Sequence, residues 1–137
     1  MKKTGIFPSV CILFAISLFS IGCGGGSSDQ PDLGSVTGAI ALDGKPLGGV
    51  IVVFSPEEGR QSVGITDADG KYELQYTGDS RGAKIGKHSV GFMASDDEDV
   101  KASASIPAKY AAGTETGLSA EVVAGKNTFD FTDLTSD

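Results

Sequence analysis

The sequence predicts an all-β domain, an antiparallel β-sandwich or partly closed barrel of about seven short strands. Three observations predict it. From Leu33 onward apolar residues recur with a period of two rather than 3.6. Short clusters of Gly, Asp, Asn and Pro separate these runs, as turns require. Gly fills 20 of 137 positions, and no segment of the folded part carries a helical period.

Taken in order, residues 35–42 (SVTGAIAL) place Val36, Gly38, Ile40 and Leu42 on one face, and Asp43-Gly44 marks a turn. Residues 49–55 (GVIVVFS) form a nearly continuous β-branched run ended by Pro56, which predicts a strand buried on both faces. Residues 62–66 (SVGIT) and 71–76 (KYELQY) flank the turn Asp67-Ala68-Asp69-Gly70. Within the second of these, Tyr72, Leu74 and Tyr76 share a face. Residues 87–93 (KHSVGFM) alternate again. After a long connection, 118–123 (LSAEVV) and 128–134 (TFDFTDL) flank the turn Ala124-Gly125-Lys126-Asn127. Gly44 and Gly70 sit where hairpin turns favour positive φ, and Pro46 fixes φ where no ladder N–H is needed.

Residues 1–22 read as a leader outside the fold. Lys2 and Lys3 give a basic start, and 10–19 (VCILFAISLF) is apolar apart from Ser17. That length suits the apolar region of a secretory signal and falls short of the roughly 20 residues that span a bilayer. A buried core helix is the competing reading. The segment Ser20-Ile21-Gly22-Cys23 resembles the lipobox of bacterial lipoproteins, although that family prefers Leu where this chain has Ser20. The resemblance implies that Cys23 carries a diacylglyceryl group and becomes the mature N-terminus. An ordinary secretory cleavage with an incidental Cys23 is the alternative. Two or more acyl chains hold a protein firmly, at about 0.8 kcal/mol per buried methylene.

Residues 23–32 then form the lipidated Cys and a Gly/Ser-rich tether, and 33–137 the folded domain. The tether after Cys23 (GGGSSDQPD) contains no hydrophobic residue, and as a flexible coil it spans about 15–18 Å. Cys11 would leave with the leader, so the mature domain has no internal disulfide and rests on its hydrophobic core.

Formal net charge is -7, and loss of Lys2 and Lys3 takes it to -9. A surface of that sign does not suit nucleic acid and avoids anionic headgroups, which leaves the lipid as the membrane contact. One His and no Trp leave little material for metal or stacking sites. Zinc needs three or four ligands, whereas His88 stands in a strand with no neighbouring His or Cys. An EF-hand register on Gly70 would start at Ile65 and end at Tyr76, neither of which supplies the oxygen ligand required. A Ser-His-Asp set can be composed on paper, but no G-x-S-x-G elbow accompanies it.

The stretch VTGAIALDGKPLGGVIVVFSP, with the later TDADGKYEL and GAKIGKHSVGF, resembles the carboxypeptidase regulatory-like, transthyretin-like domains. The C-terminal IPAKY and LSAEVVAGKNTFDFTDL are similar to small lipoproteins of planctomycete-type bacteria. The resemblance covers roughly residues 34–134 and implies a transthyretin-like (prealbumin-like) β-sandwich. The residues that carry it are turn and core residues, so it speaks to fold more than to function. Two activities known on related sandwiches do not transfer. Hydroxyisourate hydrolases end in Tyr-Arg-Gly-Ser and this chain ends in Leu134-Thr135-Ser136-Asp137; intradiol dioxygenases need two His.

The long connection over 95–117 carries the acidic block Asp96, Asp97, Glu98 and Asp99, followed by Tyr110. Connections of that length are uncommon and often functional. It reads either as a solvated variable loop or as a partner-binding or cation-attracting patch. The expected function is a non-catalytic, exported, lipid-anchored domain of the cell envelope, a structural or protein-interaction module without a cofactor. A saccharide-binding module is the alternative; such sites favour exposed aromatic platforms, and Tyr110 is the Tyr that falls in a loop.

Overall fold

The computed structural model describes residues 31–137. The expected leader, Cys23 and the tether up to residue 30 lie outside the described residues. The chain runs β1 (Leu33–Leu42), β2 (Lys45–Pro46), β3 (Val50–Pro56), β4 (Ser62–Ile65), β5 (Lys71–Glu73), β6 (Gln75–Thr77), β7 (Ser80–Arg81), β8 (Ala83–Lys84), β9 (Gly86–Ala94), a 3-10 turn (Ala108–Tyr110), β10 (Ser119–Val122), β11 (Lys126–Thr128) and β12 (Phe131–Leu134). They form two six-stranded sheets, an all-β arrangement consistent with a sandwich.

In the first sheet β1 is the hub, pairing antiparallel with β2, β5 and β8 and parallel with β11 and β12. The second sheet is antiparallel throughout, in the order β10-β9-β3-β4-β6-β7. The alternation read from the sequence matches the burial: Val36, Ile40 and Leu42 of β1 point inward. They meet Val52 and Phe54 of β3, Val90 and Phe92 of β9, and Leu74, all buried in one cluster.

The structure corrects the count of about seven strands to twelve among the described residues, and each difference has a physical reason. Two runs split and three two-residue ladders join them. The run over 71–76 divides at Leu74, where the chain crosses between sheets. Leu74 donates its N–H to Val36 O at 2.9 Å and accepts from Gly82 N at 2.7 Å, so its backbone is satisfied although it is fully buried. The run over 128–134 breaks at Phe129-Asp130. There the Asp130 carboxylate takes the Ala39 N–H at 2.9 Å, in place of a ladder carbonyl. The Phe129 carbonyl turns toward Gly38, where a Cβ would overlap it, and accepts the Tyr72 hydroxyl proton at 2.6 Å.

Of the three expected turns the first two form; the third, Ala124-Gly125-Lys126-Asn127, is shorter than expected, because Lys126 and Asn127 already pair with Ser35 and Val36 of β1 as part of β11. Asp43 (φ 53°) and Gly44 (φ 79°) are both left-handed, which makes the two-residue β1–β2 loop a type I′ hairpin. At the second turn Gly70 has φ 76°, and the Asp67 carboxylate accepts the N–H groups of Asp69 and Lys71, each at 2.9 Å. That carboxylate is therefore engaged by the turn itself.

Asn127, read from the sequence as a turn residue, is a polar residue buried to 8% exposure. Its side chain accepts the Val123 N–H at 3.0 Å and donates to Val123 O at 2.8 Å and Ser35 O at 2.9 Å, stitching the β10–β11 turn to β1. Asn127→Ala strands these groups and is expected to cost about 2 kcal/mol in chemical denaturation. A loss under about 0.5 kcal/mol would mean that water replaces the amide.

The two ends of the sandwich are distinct. Where the described chain begins, Asp32 O accepts the Ile85 N–H at 3.1 Å, next to the start of β9. The acidic block follows the other end of β9, nine residues on and about 27 Å away. The β1–β2 turn and the C-terminus share that far end, where Ser136 donates its N–H to Asp43 Oδ1 at 3.0 Å.

Candidate functional site

The connection between β9 and β10 folds back onto the sandwich instead of standing free. Its first turn is ordered by Asp97, whose N–H donates to Ser95 Oγ at 3.1 Å and whose carboxylate accepts the Asp99 N–H at 2.9 Å. Asp96, Asp97, Glu98 and Asp99 are all exposed. The backbone of Lys101-Ala102 then lies against Gly49, which has φ 72° and no room for a Cβ. Ser103 clamps the approach: its N–H donates to Gly48 O at 2.9 Å and its Oγ accepts the Gly48 N–H at 3.0 Å.

Farther on, Ala102, Ile106, Tyr110 and Leu118 pack against the core. Ala111 bridges Phe92 in parallel, and Ala112 N–H donates to Phe92 O at 2.8 Å. Gly91 makes this approach feasible, since a Cβ there would sit 2.6 Å from the Ala112 Cα.

Tyr110 is half-buried. Its ring meets Phe92 edge-on with centroids 6.4 Å apart, and its oxygen accepts the Thr135 N–H at 3.2 Å. Lys109 Nζ lies 5.0 Å from the ring centroid. These contacts tie the 3-10 turn to the C-terminus. Among the described residues every Phe and Tyr is at least half-buried.

Between β9 and this connection lies an apolar groove of about 680 Å³, lined by Phe92, Met93, Ala102, Ala104, Ile106 and Ala112 among others. A second hollow, of about 600 Å³, is walled by the acidic block and shares Ala94 and Ala102 with the first. The two run into one another, apolar at one end and acidic at the other. Among the described residues the one ion pair is Arg81 to Glu73, at 3.4 Å, so none of the four acids is held by a cation. A further depression of about 670 Å³ over β1 and β5 has its carboxylates engaged elsewhere: Asp67 by its turn, Glu73 by Arg81 and Asp130 by Ala39.

The sequence called out Asp96, Asp97, Glu98, Asp99 and Tyr110, and the structure places all five on this one connection. It missed the groove, because Ala104, Ala112 and Met93 have no pattern that marks them as a lining. Cys23, the expected lipid site, lies outside the described residues. No helix among the described residues is long and apolar enough to cross a membrane.

His88 is buried at 2% exposure against Phe54, with ring centroids 5.7 Å apart. Its Nε2 lies 2.6 Å from Lys84 O and therefore carries the proton. Nδ1 is buried without a hydrogen-bond partner among the described residues.

Burial, with the Asp130 charge nearby, pushes the Tyr72 phenol well above its ordinary value. The Thr135 N–H, assisted by Lys109, holds that of Tyr110 below it. For Tyr72 the folded value exceeds the unfolded one, so its stabilisation is complete below pH about 10 and is lost as pH rises further. For Tyr110 the sign is opposite: its stabilisation is present above that pH and is lost as pH falls through the depressed folded value. Absorbance titration at alkaline pH is expected to show Tyr110 ionising early and Tyr72 ionising only as the fold opens. Tyr110→Phe should remove the early step and Tyr72→Phe the late one; the reverse order would refute the assignment.

In comparison with known proteins, no family model matches the chain, and neither a curated protein nor a solved structure matches it.

Proposed function

We propose that this chain is a non-catalytic, lipid-anchored domain of the cell envelope, a transthyretin-like, carboxypeptidase regulatory-like module that contacts a protein partner. The observation that carries the reading is the separation of the two ends. The chain enters the sandwich beside Ile85, and the grooved, acidic connection lies at the far end of β9. A lipid on Cys23 would hold the first end at the membrane and turn the second away from it. The saccharide alternative draws less support, because Tyr110 is engaged by Phe92 and Thr135 rather than offered as a platform.

Two experiments test this. Metabolic labelling with an alkyne palmitate is expected to mark the wild type and leave Cys23→Ala unmarked; label on the variant would remove the anchor. Crosslinking of the full-length protein in cells, followed by mass spectrometry, is expected to recover a discrete protein. Recovery of envelope polysaccharide alone would favour the saccharide alternative.

A further inference from the structure

The apolar groove continues onto the outer face of the second sheet. Met93, 46% exposed, stands opposite Ile51 in the β3–β9 ladder, and Ile51 stands opposite Ile65, 51% exposed, in the β3–β4 ladder. Val63, 43% exposed, follows in the next row. A contiguous apolar strip of this kind on an otherwise strongly acidic domain marks a contact surface rather than scattered exposure.

Strand β10 pairs with β9 as far as Ser89, and the connection then covers this edge to Phe92: Val90 donates its N–H to Leu118 O at 2.9 Å and accepts the Thr116 hydroxyl, and Phe92 O accepts the Ala112 N–H at 2.8 Å. At the far end of the groove stand four successive carboxylates without a cation, and Lys101 borders them without forming an ion pair.

Resting on the reading of this chain as a protein-interaction module, we propose that the groove takes an extended segment of a partner protein. Its aliphatic side chains fill the space between Phe92, Ala104, Ile106 and Ala112, and its flanking Lys or Arg residues reach Asp96, Asp97, Glu98 and Asp99. Charge selects this occupant. A second copy of the chain would bring the same excess of acid against the block, whereas a basic flank meets it with opposite sign and is drawn in over about 10 Å at moderate salt. The apolar channel supplies the holding contact and the acids the orientation.

The test uses the full-length protein in detergent micelles and a fluorescent synthetic peptide of alternating Val and Ala with a Lys tail. Anisotropy is expected to show saturable binding that weakens at least tenfold when the tail is Glu. The same loss is expected for Ala104→Glu, a change at an exposed position that blocks the channel. It is also expected for the combined Asp96→Asn, Asp97→Asn, Glu98→Gln and Asp99→Asn variant, which keeps the Asp97 acceptor for its turn. Absence of binding, or binding indifferent to tail charge or to these variants, overturns the proposal. So does a concentration-dependent dimer abolished by Ala104→Glu, since it would give the groove to a second copy. The crosslinking above reports a partner through any face. A partner found there without peptide binding here removes the groove and leaves the module reading standing.

Discussion

Phe54→Ala is expected to lower the unfolding free energy by about 3–5 kcal/mol, a large share of the roughly 5–15 kcal/mol that holds a domain of this size. Phe54 is fully buried in β3, and its ring lies 5.7–6.5 Å from those of His88, Phe129, Tyr72 and Phe131. Truncation would remove a ring that touches aromatic side chains of both sheets, and the β ladders on either side of β3 limit how far the cavity can close. Guanidinium titration followed by tyrosine fluorescence should show the midpoint falling with the slope unchanged. Phe54→Leu should cost about 1 kcal/mol, because it keeps most of the volume. A loss under about 1.5 kcal/mol for Ala would mean that the surrounding rings collapse into the space. Both Cys of the chain precede residue 31, so no disulfide offsets the loss in the described domain.

Gly49→Ala is expected to be nearly as damaging, by a different route. Its φ of 72° costs a residue with a Cβ about 1–2 kcal/mol, and the new methyl would press on the Lys101 carbonyl, adding about 1–3 kcal/mol of overpacking. The opposing atoms are backbone, so no rotamer change relieves the contact. The strain should lift the connection over 95–117 from its seat while leaving β3 paired. Hydrogen exchange should then show Ser103 N–H, bound to Gly48 O in the wild type, losing protection before the β3 and β9 amides do. Uniform loss of protection would mean that the connection and the sheets open as one unit.

Much of the sandwich was legible because period-two alternation is a local signal. Val36, Ile40 and Leu42 declare a face within eight residues, and Asp43-Gly44 declares its turn chemistry in two. The two-residue ladders β2, β7 and β8 are too short to carry a period. The crossing at Leu74 was hidden because that residue keeps its inward direction while its neighbours change sheets. Likewise the parallel pairing of β1 with β11 and β12 depends on contacts some ninety residues apart. Gly49 is the instructive case: the pattern places it in a strand, whereas the structure uses it as the floor on which Lys101 rests. The acidic block stood out by composition, but its neighbouring groove is built from small residues that look unremarkable one by one. Such residues become a lining only when Gly91 and Gly49 let two segments approach.

The position of β1 has a mechanical consequence. It is the first strand of the described residues and pairs with five others along its ten residues. A pull on the chain ahead of Leu33, resisted at the acidic end, is directed along β1 and loads its ladders in shear. Many hydrogen bonds must then yield together, whereas peeling an edge strand would break them one at a time. A domain held at one end and gripped at the other would bear tension along its strongest direction.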